Sequence, residues 1–538
     1  MPATYELIVR GGTVYDGGGG EPFVADVAVR GDRIATIAPD LDASAGMTID
    51  AAGLAVAPGF INMLSHSYHS ILQDGRSLGE LKQGVTTQIF GEGNSMGPLT
   101  PEMRDRMAAA ASDRRFDVEW SSLAEYLAYA ERHGISQNVA SYIGATTLRI
   151  HAVGQDDRPA TAQELDVMRG LVREEMEAGA LGIGSSLIYP PAFFASTDEL
   201  IELCRASAPY RGKYISHMRN EGNELLEAIE ELITIGREAG VPAEIYHMKQ
   251  AGRANWHKLD GAIALVEEAR GRGERVTADM YTYTAGATGL SNAIPPRFHD
   301  GGPRMLLQRL EDAGVRKEIR HAIEETEDGW ENMYRGAGGG KGVLILGVRQ
   351  QENRTYQGKT LAQVAEMDGT DPIDALMDLV LRDRSRIDTA YFMITEENVR
   401  REVPLPWMSF GSDARSIAAE GDFLAASTHP RAYGNFARLL GTYVREEGLI
   451  SLAEAVRKLS RLPADNLELD QRGRIEEGYF ADLVVFDPAT VAGRATYEEP
   501  HQYAVGVRDV VVNGVAALRD GEHTGCFPGR ALYGPGRK

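Results

Sequence analysis

The feature of this chain that most constrains its fold is a series of eight short apolar runs separated by longer amphipathic segments. Runs of this kind are typical of parallel strands that are covered on both faces and joined by crossover helices. The runs span residues 59–66, 85–92, 138–145, 180–189, 213–219, 243–249, 275–283 and 407–413. Eight such units predict an α/β fold with a closed (β/α)8 barrel of the triosephosphate isomerase type, in which chemistry takes place at the C-terminal ends of the strands.

The two ends of the chain carry a different pattern. Short stretches such as "VADVAVRGDRIATIA" near the start and "AVGVRDVVVNGVAAL" near the end alternate apolar and polar residues between Gly and Asp. This alternation is typical of half-buried antiparallel strands. We therefore predict that residues 1–57 and 466–538 together form a small β-sandwich, and that the barrel domain, residues 58–465, is inserted between them. Residues 286–400 are too many for a loop and are predicted to be an inserted subdomain or lid.

Composition excludes several classes of partner. The 538 residues, 43% of them hydrophobic, can bury a large core. The formal net charge of -22 repels phosphate backbones and anionic lipid, so we expect neither nucleic acid nor a membrane as partner. Cys204 and Cys526 are too few for a disulfide framework, and the first residues lack the pattern of a signal peptide. We therefore expect a cytoplasmic protein; its oligomeric state is not predicted.

Three polar side chains at predicted strand ends suggest a metal site. His217 and His247 end two consecutive runs, and imidazoles from adjacent strands commonly bind zinc. Glu92 ends the second run between two glycines, which allow the backbone to turn sharply and present a carboxylate. Two histidines and one glutamate leave a fourth position open, as in catalytic zinc sites. Structural roles remain possible for each of them, and Glu92 could instead cap the following helix.

Asp413 ends the eighth run, in "SFGSDA". A carboxylate beside a metal-activated water can take its proton, because the metal lowers the pKa of the water from 15.7 to about 7. We therefore predict that Asp413 is the general base. The alternative is that it caps the next helix.

Several longer motifs resemble the N-acyl-D-amino-acid deacylases, the D-aminoacylase branch of the amidohydrolase superfamily. These motifs are "APGF", "SHMRNEG", "HMKQAG", "DMYTYTAG", "GSDA" and "HPRAYGNFARLLGTYVREEGLISLAEAVRKLS", and the resemblance covers nearly the whole chain. It implies that His217 and His247 bind an essential zinc ion and that Asp413 is the catalytic base.

The resemblance also implies substrate contacts. Lys249 and Tyr283 would contact the substrate, and Arg431 of "HPRAYG" would bind the carboxylate of an N-acyl amino acid. A guanidinium group matches a carboxylate bidentately, which agrees with that role, although Arg431 could also be a surface residue. Tyr189 is a weaker candidate, because tyrosines at strand ends often only pack.

The chain departs from the family pattern at two places. The usual metal-bridging cysteine is missing, and "GEGNSMGP" stands in its place, so we predict Glu92 as the substitute ligand. A carboxylate is a harder ligand than a thiolate, so we expect a different metal preference. The first histidine of the expected His-x-His pair is Leu64, which favours one zinc ion over two. The remaining His66 could contact substrate, bind metal weakly or pack.

These observations predict a metal-dependent amidohydrolase that cleaves N-acyl amino acids, most simply of the D configuration, to a carboxylic acid and a free amino acid. One alternative is a related enzyme that acts on a cyclic amide, a dipeptide or a lactone, or that runs as an amide synthase. A second alternative is a degenerate barrel that binds an N-acyl ligand without turning it over. Leu64 and the missing cysteine motivate that alternative, whereas His217, His247 and Asp413 argue for catalysis.

Overall fold

The computed structural model describes residues 4–111, 116–325 and 329–538. The strands in chain order are β1 Thr4–Val14, β2 Phe23–Arg30, β3 Arg33–Ala38, β4 Ser44–Asp50, β5 Ala55–Pro58, β6 Phe60–Asn62, β7 Val85–Phe90, β8 Asn138–Ser141, β9 Ile143–Gly144, β10 Gly182–Ser186, β11 Lys213–His217, β12 Ala243–Ile245, β13 Val276–Met280, β14 Gly286–Gly289, β15 Val343–Gly347, β16 Asp388–Tyr391, β17 Met408–Phe410, β18 Leu483–Phe486, β19 Val507–Val512, β20 Val515–Arg519 and β21 Glu522–His523. The α-helices are α1 Ser70–Gln73, α2 Leu78–Leu81, α3 Pro101–Ala111, α4 Leu123–His133, α5 Ala145–Ala152, α6 Ala162–Ala178, α7 Thr197–Ser207, α8 Leu225–Ala239, α9 Leu259–Gly271, α10 Pro303–Leu310, α11 Ala313–Glu324, α12 Met333–Gly336, α13 Leu361–Asp368, α14 Pro372–Asp383, α15 Glu396–Glu402, α16 Arg431–Arg438, α17 Leu452–Leu459 and α18 Arg461–Leu467.

The barrel is built from parallel strands, and each of the eight predicted runs contributes to it. Strands β6, β7 and β8 pair in that order, and β9 to β13 pair in chain order and end on β17. The third run supplies both β8 and β9, because it is interrupted at Tyr142. The wall closes where the Met63 N–H donates to the Phe410 carbonyl at 3.2 Å and where Ser65 and Ala414 form a parallel bridge. The predicted barrel is confirmed.

Apolar side chains fill the barrel interior beneath the mouth. Leu64 is fully buried there, in a cluster that also contains Ile89, Tyr142 and Tyr246. The residue that replaces a histidine in the expected pair therefore contributes to packing. A Cβ added at Gly411, the residue that follows the neighbouring strand β17, would lie 2.8 Å from the Leu64 Cβ, so little free space surrounds the leucine.

Both chain ends enter one nine-stranded sheet outside the barrel, in the order β21-β20-β19-β18-β5-β1-β2-β3, with β4 paired to β1. The predicted sandwich thus consists of one continuous sheet that branches at β1, since β1 pairs with β4 through its first half and with β5 through its second. The boundaries at residues 57 and 466 stay a prediction. None of the described helices is both long enough and apolar enough to span a bilayer.

The segment between β13 and β17 forms a subdomain with its own core. Strands β14, β16 and β15 make an antiparallel sheet, and α10 to α14 pack beside it around buried side chains such as Leu310, Ile319 and Leu376. Residues of this insertion, including Thr288, Met333 and Arg386, reach the cavity at the barrel mouth. The insertion therefore supplies part of the wall around the candidate site.

Candidate metal centre

Five predicted side chains converge at the C-terminal mouth of the barrel. His217 is the last residue of β11, and Glu92, His247, Asp413 and His66 follow the ends of β7, β12, β17 and β6 by two to four residues. All five line one cavity of about 630 Å³, open mouth included. Because the C-terminal ends of all barrel strands lie at the same mouth, the fold brings together residues that lie as far as 347 positions apart in the sequence.

Backbone conformations at this mouth are unusual. His247 and Asp413 have φ angles of 35° and 47°, which place two non-glycine residues in the left-handed region. Such conformations cost about 1–3 kcal/mol each and persist where surrounding structure enforces them, commonly at active sites. Gly93 also has a positive φ, and a Cβ there would lie 2.6 Å from the Ser186 Cβ. Position 93 therefore requires glycine, because its backbone has a positive φ and because a side chain there would clash with Ser186.

Glu92, His217 and His247 form the first group of potential metal ligands. The Glu92 Oε1 atom lies 2.9 Å from the His217 Nδ1 atom and 3.3 Å from the His247 Nε2 atom. One ligand atom from each of the three residues falls within 4.8 Å of the others. The two imidazole rings are 4.4 Å apart and nearly perpendicular, so both present a nitrogen to the same carboxylate oxygen.

A second group shares Glu92. The Glu92 Oε2 atom lies 3.0 Å from the His66 Nε2 atom, which is 2.9 Å from the Asp413 Oδ1 atom. These three residues also offer ligand atoms within 4.8 Å of one another. Glu92 thus directs one oxygen to each group. The sequence did not indicate this arrangement, because the loss of a histidine at Leu64 alone argued against a second site.

The electrostatics of the site are dominated by ionised carboxylates. Burial would raise the pKa of Glu92, but hydrogen bonds from His217, His247 and His66 hold it well below its usual range. Burial would likewise raise the pKa of Asp413, but the charge of Arg431, whose Nη1 atom lies 2.7 Å from Oδ2, keeps it low. Concentrated buried negative charge of this kind is what a divalent cation neutralises.

Glu221 is a site residue that the strand-end argument missed. Its Oε1 atom lies 3.1 Å from the His247 Nδ1 atom, and its Oε2 atom lies 3.3 Å from the His217 Nε2 atom. These are the imidazole nitrogens that face away from Glu92. The Lys249 ammonium group pairs with both Glu221 oxygens, at 2.6 and 2.7 Å. The only sign of Glu221 in the sequence was its position four residues after His217, in the quoted "SHMRNEG" motif.

Three of the five predicted substrate contacts line the cavity, and two do not. Tyr189, Lys249 and His66 line the cavity, and the Tyr189 ring packs edge-on against His217 with centroids 5.3 Å apart. Arg431 and Tyr283 are buried but are not among the lining residues. Arg431 lies behind Asp413 and over the Tyr281 ring, and Tyr283 packs against His429. In this structure the Arg431 guanidinium therefore faces the candidate base.

The donor set fits a zinc ion. Two imidazole nitrogens and one carboxylate oxygen are ligands that zinc accepts, and three protein ligands beside a cavity correspond to a catalytic site with an open position. Glu221 lies behind both imidazoles, where a carboxylate orients metal-binding histidines. Asp413 lies next to this group, on the cavity wall. The arrangement is suited to the activation of a water molecule and to the transfer of its proton.

Comparisons with known proteins identify the family of this chain. A model of the amidohydrolase family matches residues 47–517. D-aminoacylase from Alcaligenes xylosoxydans xylosoxydans is 34% identical over 98% of this chain and 97% of its own length, and N-acyl-D-aspartate deacylase from the same organism is 32% identical over 99% and 95%. The crystal structure of N-acyl-D-glutamate deacylase from Bordetella bronchiseptica, with zinc and a phosphonate mimic of the tetrahedral intermediate, superposes with a TM-score of 0.81 at 29% identity, covering 99% of this chain and 100% of that one.

Proposed function

The chain belongs to the amidohydrolase family, and from this premise we propose that it is a zinc-dependent hydrolase of N-acyl-D-amino acids. The reaction consumes water and yields a carboxylic acid and a free amino acid. The observation that carries the proposal is the convergence of Glu92, His217 and His247 beside Asp413 in one cavity. The similar proteins are named as D-aminoacylase and as deacylases of N-acyl-D-amino acids, and these names support the proposed substrate class.

We propose Glu92, His217 and His247 as the residues that hold zinc. Bound zinc supplies Lewis acidity, which polarises an acyl oxygen and lowers the pKa of water. The chain's own contribution is to fix the ligands. When the His247 Nδ1 atom carries the proton, Glu221 accepts its hydrogen bond, and Nε2 of that imidazole is left as the ligand atom.

Asp413 is the proposed general base. Arg431 holds its Oδ2 atom at 2.7 Å, so that the carboxylate stays ionised and its Oδ1 atom is oriented toward His66. From this position Oδ1 takes the proton of the attacking water and then delivers it to the nitrogen of the departing amino acid. The ion pair with Arg431 is thus a positioning contact for the base, in addition to any contact with substrate.

The other contacts we propose are with the substrate. Tyr189 and His66 line the cavity beside the ligand groups, which supports the proposal that they contact the acyl group. Lys249 lies on the same wall and, although paired with Glu221, can still attract the α-carboxylate. Tyr283, which packs against His429, supports this wall from behind. We also propose a cytoplasmic location, on the grounds that two unpaired cysteines suit a reducing compartment.

The test combines metal content with turnover. Elemental analysis of the purified protein should find one tightly held equivalent of zinc, and Glu92→Ala should lose it. The zinc-loaded protein should hydrolyse N-acetyl-D-methionine faster than its L enantiomer. Asp413→Asn should keep zinc but lose about 10²–10⁴-fold in kcat, as expected for a missing general base. Asp260→Asn, an exposed site on α9, is the matched control and should leave both quantities unchanged.

Two outcomes would contradict the proposal. Zinc-loaded Asp413→Asn protein with normal turnover would remove Asp413 from the mechanism. A wild-type protein that binds no zinc when it is supplied, or that hydrolyses no N-acyl-D-amino acid, would refute the function itself.

A further inference from the structure

One basic side chain of the cavity wall forms no ion pair with a carboxylate among the described residues. Arg386, two residues before β16, lines the cavity together with Lys249. Lys249 is paired with Glu221, whereas in the described part of the chain no carboxylate oxygen lies within the 4.0 Å ion-pair distance of the Arg386 guanidinium. Arg386 is also exposed to solvent, so a ligand can approach it through the open mouth.

Arg386 is held at the wall by two other residues of the cavity. Its Nη2 atom donates to the Thr288 Oγ1 atom at 2.8 Å, and its guanidinium carbon lies 6.0 Å from the centre of the Tyr189 ring. Both partners are neutral, so the positive charge is not compensated by them. Arginine carries five N–H donors, and among the described residues Thr288 is the one side-chain acceptor found for them. The remaining donors are available to a ligand.

The charged groups at the metal end of the cavity can be neutralised by one substrate carboxylate. Three carboxylates line the cavity there, those of Glu92, Glu221 and Asp413. Two cations, Lys249 and Arg431, are paired with the last two. With one divalent ion bound, these five side chains and the ion together carry a net charge of one positive unit. The α-carboxylate of an N-acyl amino acid neutralises that unit. Arg386 therefore supplies a second positive charge, on the side of the insertion, that the α-carboxylate does not require.

We propose that Arg386 binds a carboxylate on the side chain of the substrate, and that the preferred substrates are N-acyl amino acids with an acidic side chain. This inference rests on the proposed function and narrows its substrate class. A guanidinium group can receive a carboxylate through two parallel hydrogen bonds, which gives both attraction and orientation. Arg386 is thus a specificity residue that the inserted subdomain contributes to the barrel mouth.

The test compares N-acetyl-D-glutamate with N-acetyl-D-glutamine, which differ only in the charge and donor pattern of the side-chain terminus. Arg386→Met removes the charge and keeps most of the aliphatic stem. We expect kcat/KM for the glutamate substrate to fall by about 10- to 100-fold, and that for the glutamine substrate to change by less than about threefold. Arg386→Lys, which keeps the charge but not the fork, should recover part of the loss. Arg382→Met, which removes an exposed cation of the insertion that pairs with Asp368 and does not line the cavity, is the matched control and should affect neither substrate.

Equal losses on both substrates, or no loss on either, would overturn the inference. A binding measurement separates its failure from failure of the proposed function. Calorimetry on zinc-loaded Asp413→Asn protein gives the affinity for both N-acetyl amino acids without turnover, and Arg386→Met is added to that background. Weaker binding of the glutamate compound alone supports the role of Arg386 even if the wild type proves inactive. Unchanged binding rejects that role even if hydrolysis is observed.

Discussion

Replacement of Glu221 by glutamine tests whether this carboxylate orients the zinc ligands. Glu221 contacts the nitrogens of His217 and His247 that face away from Glu92, and its exposed fraction is 1%. Carboxylates in this position typically change metal affinity by about 10- to 100-fold when removed. We therefore expect the zinc dissociation constant of Glu221→Gln to rise by that factor, measured by competition with a chelator of known affinity.

The same substitution also breaks a buried ion pair. The Lys249 ammonium, 4% exposed, would lose a partner whose two oxygens lie at 2.6 and 2.7 Å. Leaving one member of such a pair unpaired costs about 3–5 kcal/mol, so Glu221→Gln should also lower the free energy of unfolding. The double variant Glu221→Gln/Lys249→Met removes both charges and should recover most of this stability. It should not recover zinc affinity, because the carboxylate behind the imidazoles is still missing.

A matched control separates the two effects. Arg149 and Glu199 form a comparably buried pair between α5 and α7, with exposed fractions of 1% and 6% and a distance of 2.8 Å. Glu199→Gln should destabilise the protein in the same way and leave zinc affinity unchanged. The orienting role is refuted if Glu221→Gln binds zinc as tightly as wild type, or if Glu199→Gln weakens zinc binding to the same extent.

Three further predictions concern other parts of the molecule. His66→Ala should leave the first zinc equivalent bound and abolish any second, because His66 belongs only to the second ligand group; zinc titration followed by elemental analysis checks this. Glu175 accepts the Leu123 N–H, and burial raises the pKa of its carboxyl group to about 7. Between pH 4.5 and pH 7 the folded state therefore binds a proton that the unfolded state does not. The stabilising contribution is present below pH 4.5 and lost by pH 7, and Glu175→Gln should remove about 2–3 kcal/mol of this pH dependence from urea unfolding curves. Glu331, from the insertion, accepts the Glu221 N–H at 2.7 Å, so Glu331→Leu should destabilise by about 1–3 kcal/mol whereas Glu331→Gln, which keeps an acceptor, should cost less in thermal unfolding.

The barrel and its mouth could be predicted because both follow from local patterns. Apolar runs predict parallel strands, and the ends of parallel strands meet at one edge, so Glu92, His217, His247 and Asp413 could be grouped without knowledge of any contact. Glu221 could not be added by that rule, because it lies beyond the predicted run 213–219 and reaches the histidines only through the fold of its loop.

The residues contributed from outside the strand ends were harder to predict for a different reason. Arg386 lies in the insertion, about a hundred residues after β13, where no periodic rule relates sequence position to the barrel axis. Arg431 was predicted to bind the carboxylate of the substrate, which stays a prediction; in the structure its guanidinium pairs with the carboxylate of Asp413. Residue type therefore indicated the chemistry, and only the tertiary structure identified the partner.

Leu64 and Glu92 have to be considered together. A thiolate offers one sulfur atom to its metals, whereas the two oxygens of Glu92 lie on different sides and face different ligand groups. Because Oε1 faces two imidazoles and Oε2 faces one imidazole and Asp413, the first group is the better zinc site by ligand type. The resemblance implies that a histidine at position 64 would serve a second metal; leucine instead packs into the barrel interior. We therefore expect the two groups to differ strongly in zinc affinity, with the first occupied alone over a wide range of zinc concentration. Asp413 then remains free of metal over that range and is available as a base. On this expectation, Leu64 and Glu92 preserve the first ligand group and weaken the second group, which would otherwise use Asp413 as a metal ligand.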